Sequence, residues 1–372
     1  MKICFLIADI SGRGGTERAT SMIANGLSDR QYKVDIITCR NEPESFFCLN
    51  KNIRIYSLEA EKISNKFVRK FINFLKIWKL ISDKEYDVVI AVDVYIFYYL
   101  LPVKIIKRCH CIAWEHFNYH IANKKFSKLA RKLAVTFADQ VIVLGKQDLN
   151  NYMHEHRSAN NINFIYNPIA FEKSVNENIR NHRVIAAGRL TEQKGFDLLI
   201  DAWKIIEKEN EDLDWTLDIF GEGELDIQLK NQISEYGLER IHLKGYTKDL
   251  KKEYLNASIF VLSSRYEGFG LVLIEALACG LPCVSFDCPE GPGEIIEHNT
   301  NGYLVENGNA MQLANKIMEL MRDEEIRERF SANAHNNLQR FELREVLNSW
   351  EALLASYSKP NGNRIDEELK LL

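Results

Sequence analysis

Short apolar, β-branched runs alternate with helical patterns from one end of the chain to the other, and they do so in two series. In the first, strands are expected over residues 3–8, 33–39, 87–92 and 140–144; in the second, over 184–188, 215–220, 241–245, 259–262 and 283–286. Strands separated by helices imply a parallel sheet with right-handed crossovers, and two such series imply an α/β chain of two doubly wound halves. The length agrees, since 372 residues exceed what one hydrophobic core usually serves. Residues 172–182 are polar and charged and read as a linker. The division expected is therefore 1–170, then 183–341, with a helix over 342–358 and a frayed polar tail over 359–372.

The totals narrow the class. No cleavage-site pattern follows Met1, and no apolar run approaches the roughly 20 residues that span a bilayer, so a cytoplasmic protein is expected. The eight cysteines form no Cys-x-x-Cys pair, which favours reduced thiols over zinc or disulfides. The net charge of −4 divides into +9 for residues 1–180 and −13 for 181–372. A basic first half suits a negatively charged partner such as a membrane surface or a phosphorylated lipid.

Chemistry concentrates after the strand at 259–262. The loop holds Glu267, Gly268 and Gly270, and Leu271 to Ala278 reads as a helix closed by Gly280 and Pro282. Free amides at that helix start suit an anion, with Glu267 before the helix and Glu275 one turn inside it. A capped helix with solvated acids is the plainer reading of this spacing alone. Arg189 and Lys194 follow the strand at 184–188, where two cations could clamp a diphosphate. His116 ends a strand at a carboxyl edge, where open α/β sheets bind ligands. The first loop, from Asp9 to Glu17, is glycine-rich but completes neither G-x-G-x-x-G nor a P-loop; a turn needing positive φ explains it about as well as a ligand does. Asp212 and Asp214 form an Asp-x-Asp pair that reads better as a solvated loop than as a metal site.

Residues 62–79 carry six basic residues and no acid, with Ile63, Phe67, Phe71, Phe74, Trp78 and Ile81 at helical spacing. This reads as a helix lying on a membrane surface, with Lys66, Arg69, Lys70 and Lys76 facing anionic lipid. A crossover helix packed on the sheet explains the stripe but not the missing acids. A second basic cluster, Lys124, Lys125, Lys128, Arg131 and Lys132, favours the membrane reading.

Taken together, several ordered motifs resemble one family, the retaining GT-B glycosyltransferases of the family 4 type, bacterial enzymes of capsule, lipopolysaccharide and lipid-linked oligosaccharide assembly. The resemblance spans nearly the whole chain. It is carried by Ala187-Gly188-Arg189 with Lys194-Gly195, by Gly221-Glu222-Gly223, by Ser264 to Gly270 with Glu275-Ala276, and by Gly280 to Ser285. Residues 287–296 and Trp114-Glu115-His116-Phe117-Asn118 look like the branch that transfers hexoses in surface-polysaccharide pathways. The family implies two Rossmann-like domains facing across a cleft, with a C-terminal helix crossing back to the first. It implies that Arg189 and Lys194 hold the donor diphosphate, that Glu267 contacts the donor sugar, that Glu275 holds the ribose, and that His116 touches the transferred sugar. Backbone amides near Phe269, Gly270 and Leu271 would meet sugar and phosphate, and Gly15 would lie against the diphosphate.

The resulting expectation is a retaining hexosyltransferase that moves a hexose or N-acetylhexosamine from a nucleotide sugar, UDP-linked by preference, to a polyprenyl-diphosphate-linked or other lipid-linked acceptor at the inner membrane face. It needs no metal or other cofactor and no nucleic-acid partner. Two other classes remain to be separated from it. A UDP-sugar epimerase of the same architecture would convert its substrate with no acceptor. A non-catalytic sugar-nucleotide-binding subunit would be expected to lack some of Arg189, Lys194, Glu267 and Glu275, all of which are present.

Overall fold

A computed structural model describes residues 1–40, 44–58, 65–106, 109–119, 125–176, 178–210 and 214–357, with the side chains of residues 66, 67, 105, 106 and 125 left out of the description. In chain order the first elements are β1 Lys2–Ile7, α1 Gly15–Asp29, β2 Lys33–Thr38, β3 Arg54–Ser57, α2 Lys66–Lys84, β4 Val88–Val92, α3 Leu101–Ile106, β5 His110–Trp114, α4 Lys125–Phe137, β6 Gln140–Val143, α5 Lys146–Glu155 and β7 Ile162–Phe164. The second series runs β8 Arg183–Ala187, α6 Phe196–Glu209, β9 Thr216–Phe220, α7 Asp226–Tyr236, β10 Ile241–Gly245, α8 Leu250–Leu255, β11 Ile259–Leu262, α9 Leu271–Ala278, β12 Cys283–Phe286, α10 Pro292–Ile295, β13 Gly302–Val305, α11 Ala310–Arg322, α12 Glu324–Asn333 and α13 Leu343–Ala355.

Two sheets result, in the orders β3-β2-β1-β4-β5-β6-β7 and β10-β9-β8-β11-β12-β13. Each has a place where the strand order reverses, between β1 and β4 in the first sheet and between β8 and β11 in the second. Loops leaving the carboxyl ends of those strands are where doubly wound sheets bind ligands. The central strands are buried along their whole length, as parallel strands covered on both faces must be.

The chain forms two compact units. One comprises Met1–Glu115, Leu129–Ile142 and the chain from Leu343; the other comprises His116–Lys128 and Val143–Glu342. In the first, α13 packs on α1 where Gly26 leaves room: a Cβ there would lie 2.4 Å from Leu347 Cδ1. Trp350 of α13 meets Trp114 edge-on at 5.1 Å. In the second, Val184, Ile219, Val261 and Val284 of the sheet pack with Leu199, Trp203 and Ile206 of α6 and with Leu313 and Ile317 of α11. The 172–182 stretch is not a loose linker there, because Asn176 and Asn178 donate to the carbonyls of Ala257 and Leu255.

Candidate active site

Two loops flank the switch point of the second sheet and are tied to each other. The loop after β8 makes a short 3-10 turn over Glu192–Lys194 and ends at Gly195, which is left-handed at φ 59°, ψ 32°. A Cβ on Gly195 would meet the Ser263 carbonyl oxygen at 2.1 Å, so glycine is required for both conformation and space. Across that contact, Ser263 Oγ donates to the Lys194 carbonyl at 2.9 Å and Arg265 N donates to the Gln193 carbonyl at 2.8 Å. The Arg265 guanidinium forks onto Asp197, in the first turn of α6, at 2.8 and 2.6 Å. Burial alone would raise the Asp197 carboxyl, but the hydrogen bonds and charge of Arg265 outweigh it and hold it below its usual value.

This scaffold brings Lys194 and Glu267 together. Lys194 Nζ lies 2.7 Å from Glu267 Oε1, and Ser264 Oγ donates to the same oxygen at 2.6 Å. The two side chains are only 16% and 6% exposed, so the pair is largely desolvated. Arg189 is exposed instead; no hydrogen bond or ion pair engages its guanidinium among the described residues. The two expected diphosphate cations thus differ: one is charge-paired, the other faces solvent.

The helix after the loop is α9, with the bounds expected from the sequence. Its N-cap is Gly270 at φ 91°, ψ 46°, and no side chain caps it, which leaves first-turn amides without a side-chain acceptor. Glu275 is fully buried one turn inside. Phe269 is packed between Tyr166 and Phe341, at centroid distances of 5.7 and 5.6 Å, so its backbone, not its ring, is what the site can use.

His116 belongs to the same unit. It is 8% exposed, and burial lowers its pKa to about 3, so the imidazole is neutral across the physiological range. Its backbone lies against the Glu267 loop, since a Cβ on Gly268 would sit 2.5 Å from the His116 carbonyl oxygen. Asn118 completes the fastening, its Nδ2 donating to the carbonyls of Glu267 at 3.0 Å and Pro289 at 3.1 Å. Asn118 and Ser264 are site residues that the sequence reading did not single out. Only their place inside quoted motifs hinted at them.

Several expectations change. Gly12, Gly14 and Gly15 are not among the positive-φ glycines, so the first loop is not a turn that needs φ > 0. Arg131 is not a surface cation: it is 3% exposed and its Nε bonds Glu115 Oε2 at 2.9 Å, with Glu115 fully buried. Nearby, burial first and Glu115 second push the Asp93 carboxyl well above its ordinary value. The inward face of α2 is Asn73, Ile77 and Ile81, while Phe71 and Trp78 of the expected buried-or-membrane stripe point outward with Val68 and Leu75. Lys76 donates to the Leu58 carbonyl and Arg69 is half-buried, whereas Lys70 is exposed. Ile63 and Lys124 lie outside the described residues, as do the side chains of Lys66, Phe67 and Lys125. Asp212 also lies outside them, and Asp214 pairs with His182 at 2.6 Å. No group of three or more metal-type ligands occurs among the described residues, and no helix among them is long and apolar enough to cross a membrane.

Comparison with known proteins extends this description. Residues 13–173 match the family model described as Glycosyltransferase Family 4, and residues 170–337 match the one described as Glycosyl transferases group 1. An amylovoran biosynthesis glycosyltransferase of Erwinia amylovora is 30% identical over 368 residues, covering 95% of this chain and 99% of that protein. The chain belongs to the family 4 glycosyltransferases. Another relative, at 27% identity over 95% of this chain and 98% of its own, is a Campylobacter jejuni α-1,4-N-acetyl-D-galactosaminyltransferase named for a PP-undecaprenol-linked substrate. Among solved structures, S. aureus TarM in complex with fondaparinux, α-GlcNAc-glycerol and UDP superimposes with a TM-score of 0.82 at 18% identity, covering 96% of this chain and 100% of that one. Anabaena HepE in complex with UDP and glucose gives 0.79 at 23% identity, with coverage of 96% and 100%. This family 4 glycosyltransferase therefore has the GT-B fold.

Proposed function

We propose that this glycosyltransferase moves a hexose or N-acetylhexosamine, with retention, from a UDP-sugar to a lipid-linked saccharide at the inner face of the plasma membrane. The observation that carries the chemistry is the desolvated Lys194–Glu267 pair beside the uncapped start of α9. In the proposed complex Arg189 and Lys194 neutralise the donor diphosphate, and Gly15 lies against it. Amides of Phe269, Gly270 and Leu271 contact phosphate and sugar, Glu267 the sugar, and Glu275 the ribose. A diphosphate arriving at Lys194 competes with Glu267 for the ammonium group and frees the carboxylate to accept sugar hydroxyls. His116, being neutral, can hydrogen-bond the sugar without adding charge.

During transfer the sugar–phosphate bond breaks, negative charge builds on the leaving diphosphate, and that diphosphate takes the acceptor hydroxyl's proton as the new glycosidic bond forms on the same face. Fixed cations and amides aimed at the leaving group stabilise that charge more in the transition state than in the ground state. The chemistry asks no metal of the protein. Screening UDP-, GDP- and ADP-sugars for transfer, with the product anomer read by NMR, tests this reading: an α-linked product from an α-linked donor supports it. Inversion contradicts retention, and conversion of the sugar nucleotide without acceptor supports the epimerase instead.

The membrane part rests on α2. Val68, Phe71, Leu75 and Trp78 are 46, 61, 45 and 37% exposed, and their spacing of three, four and three residues makes one outward stripe. Lys70 and Lys79 are exposed alongside, and no acid occurs between residues 62 and 79. α4 likewise exposes Phe126, Leu129 and Phe137 together with Lys128 and Lys132. Apolar groups set among cations match an anionic bilayer surface. Vesicles containing phosphatidylglycerol should retain the protein at low salt and release Phe71→Ser/Trp78→Ser; equal retention of both proteins would show that α2 is only a packed crossover.

A further inference from the structure

The first sheet's switch point is flanked by the loop after β1, and that loop presents a carboxylate. Asp9 shapes it, accepting hydrogen bonds from Ser11 N at 3.0 Å and Ser11 Oγ at 2.6 Å and pairing with Arg40 at 2.9 Å. Arg13 is turned aside, its guanidinium 5.1 Å from the Phe46 ring centre. Gly14 has ordinary extended backbone, φ −86° and ψ 176°, and Gly12 is not in the left-handed region either. At both positions the missing Cβ leaves space that the end of the Glu17 side chain occupies. A Cβ on Gly12 would lie 2.8 Å from Glu17 Oε1, and one on Gly14 2.6 Å from Glu17 Oε2. The two glycines make room for the chain's own carboxylate.

Glu17 stands three residues after the Gly14 N-cap of α1. That is where a capping-box glutamate reaches back to the N-cap amide, yet no hydrogen bond or ion pair reaches the Glu17 carboxylate among the described residues. It is half-buried, so part of it faces solvent and is open to a ligand. A carboxylate in this position repels phosphate and accepts from hydroxyl groups.

We propose that Glu17 is a specificity-determining residue for the acceptor: its carboxylate, seated over Gly12 and Gly14, takes a hydrogen bond from a hydroxyl of the acceptor saccharide. The assignment rests on the transferase reading above. It gives the first sheet's switch point a hydroxyl-rich saccharide portion as its ligand and leaves the donor diphosphate to Arg189, Lys194 and the Gly15 backbone.

The test uses the full chain with the donor that the nucleotide-sugar screen selects and with octyl glycosides of glucose, galactose and their N-acetylated forms as acceptors. Glu17→Gln keeps a side chain able to cap α1 but loses the charge; Gly14→Ala keeps the carboxylate but displaces it. Both should raise the acceptor KM by about tenfold, the scale of one weakened charge-assisted hydrogen bond, while the donor KM stays within twofold and the melting temperature is unchanged. An unchanged acceptor KM in both variants would show that Glu17 is a helix cap. A donor KM that moves while the acceptor KM does not would place the carboxylate at the phosphates. Either result overturns the proposal. A wild type that transfers no sugar to any acceptor fails the transferase reading and this proposal together, an outcome distinct from active wild type with unaltered variants.

Discussion

The loop after β1 and the loop after β8 occupy the same topological place in their sheets, yet one is followed by a carboxylate, Glu17, and the other carries a cation, Lys194. Behind β8, a left-handed Gly195 and its contact with Ser263 set a cation, Lys194, against Glu267. Behind β1, glycines in ordinary conformations yield space to Glu17. The halves of the sequence carry the reverse signs, +9 for residues 1–180 and −13 for 181–372. Net charge therefore says little about the polarity of a site. Long-range charge of this kind governs association with surfaces, whereas the site is set by the one or two groups that the loop geometry aims at it.

The comparison can be broken most forcefully at the second loop. Lys194→Ala and Glu267→Ala should each lower kcat by about a hundred- to a thousandfold, the effect of losing one fixed transition-state contact, in proteins that still fold but melt at lower temperature because a desolvated charge loses its partner. Near-normal turnover in either would remove the pair from the chemistry. A smaller effect separates the two kinds of glycine. Gly195→Ala forces a Cβ onto a backbone oxygen 2.1 Å away at positive φ and should destabilise the protein by about 2 kcal/mol or more, seen as a melting temperature lower by several degrees. Gly12→Ala has only to move the end of the flexible Glu17 side chain, so its melting temperature should hardly change. Equal melting temperatures for the two variants would contradict the distinction drawn between the loops.

His116 gives a test that is silent at neutral pH and appears only on acidification. Its folded-state pKa of about 3 lies below the unfolded value near 6.5, so the unfolded chain takes up a proton that the folded chain refuses. Its contribution to stability is complete above pH 6.5 and is lost as pH falls from there toward 3. Relative to His116→Gln, wild type should lose about 1.4 kcal/mol of stability per pH unit across that window. Parallel curves from denaturant melts would mean that the imidazole is not desolvated.

Much of this was legible in the sequence, for physical reasons that differ by element. α9 appears with the expected bounds because Gly270 and Gly280 punctuate a short helix that is apolar except for Glu275; β10 and β12 are bounded as expected too. β3 and β13 escaped notice, the first because it is a half-buried edge strand with little apolar contrast, the second because it is four residues opening on a glycine. α2 carries apolar residues on both faces, so its periodicity could not say which turns inward; contact with its neighbours decides that. Arg131 reads as a surface charge because a sequence shows the charge and not the Glu115 that faces it. Glu267 and Lys194 were placed together by family resemblance, while Ser264 and Asn118, which hold the Glu267 loop, became visible only through their hydrogen bonds.

The most direct test of the division between the two loops is calorimetric titration of the donor's nucleoside diphosphate, UDP in the first instance, into wild type, Lys194→Ala and Glu17→Gln. The account predicts that Lys194→Ala weakens binding at least tenfold while Glu17→Gln leaves it within twofold of wild type. Unweakened binding in Lys194→Ala, or a large change in Glu17→Gln, would contradict it.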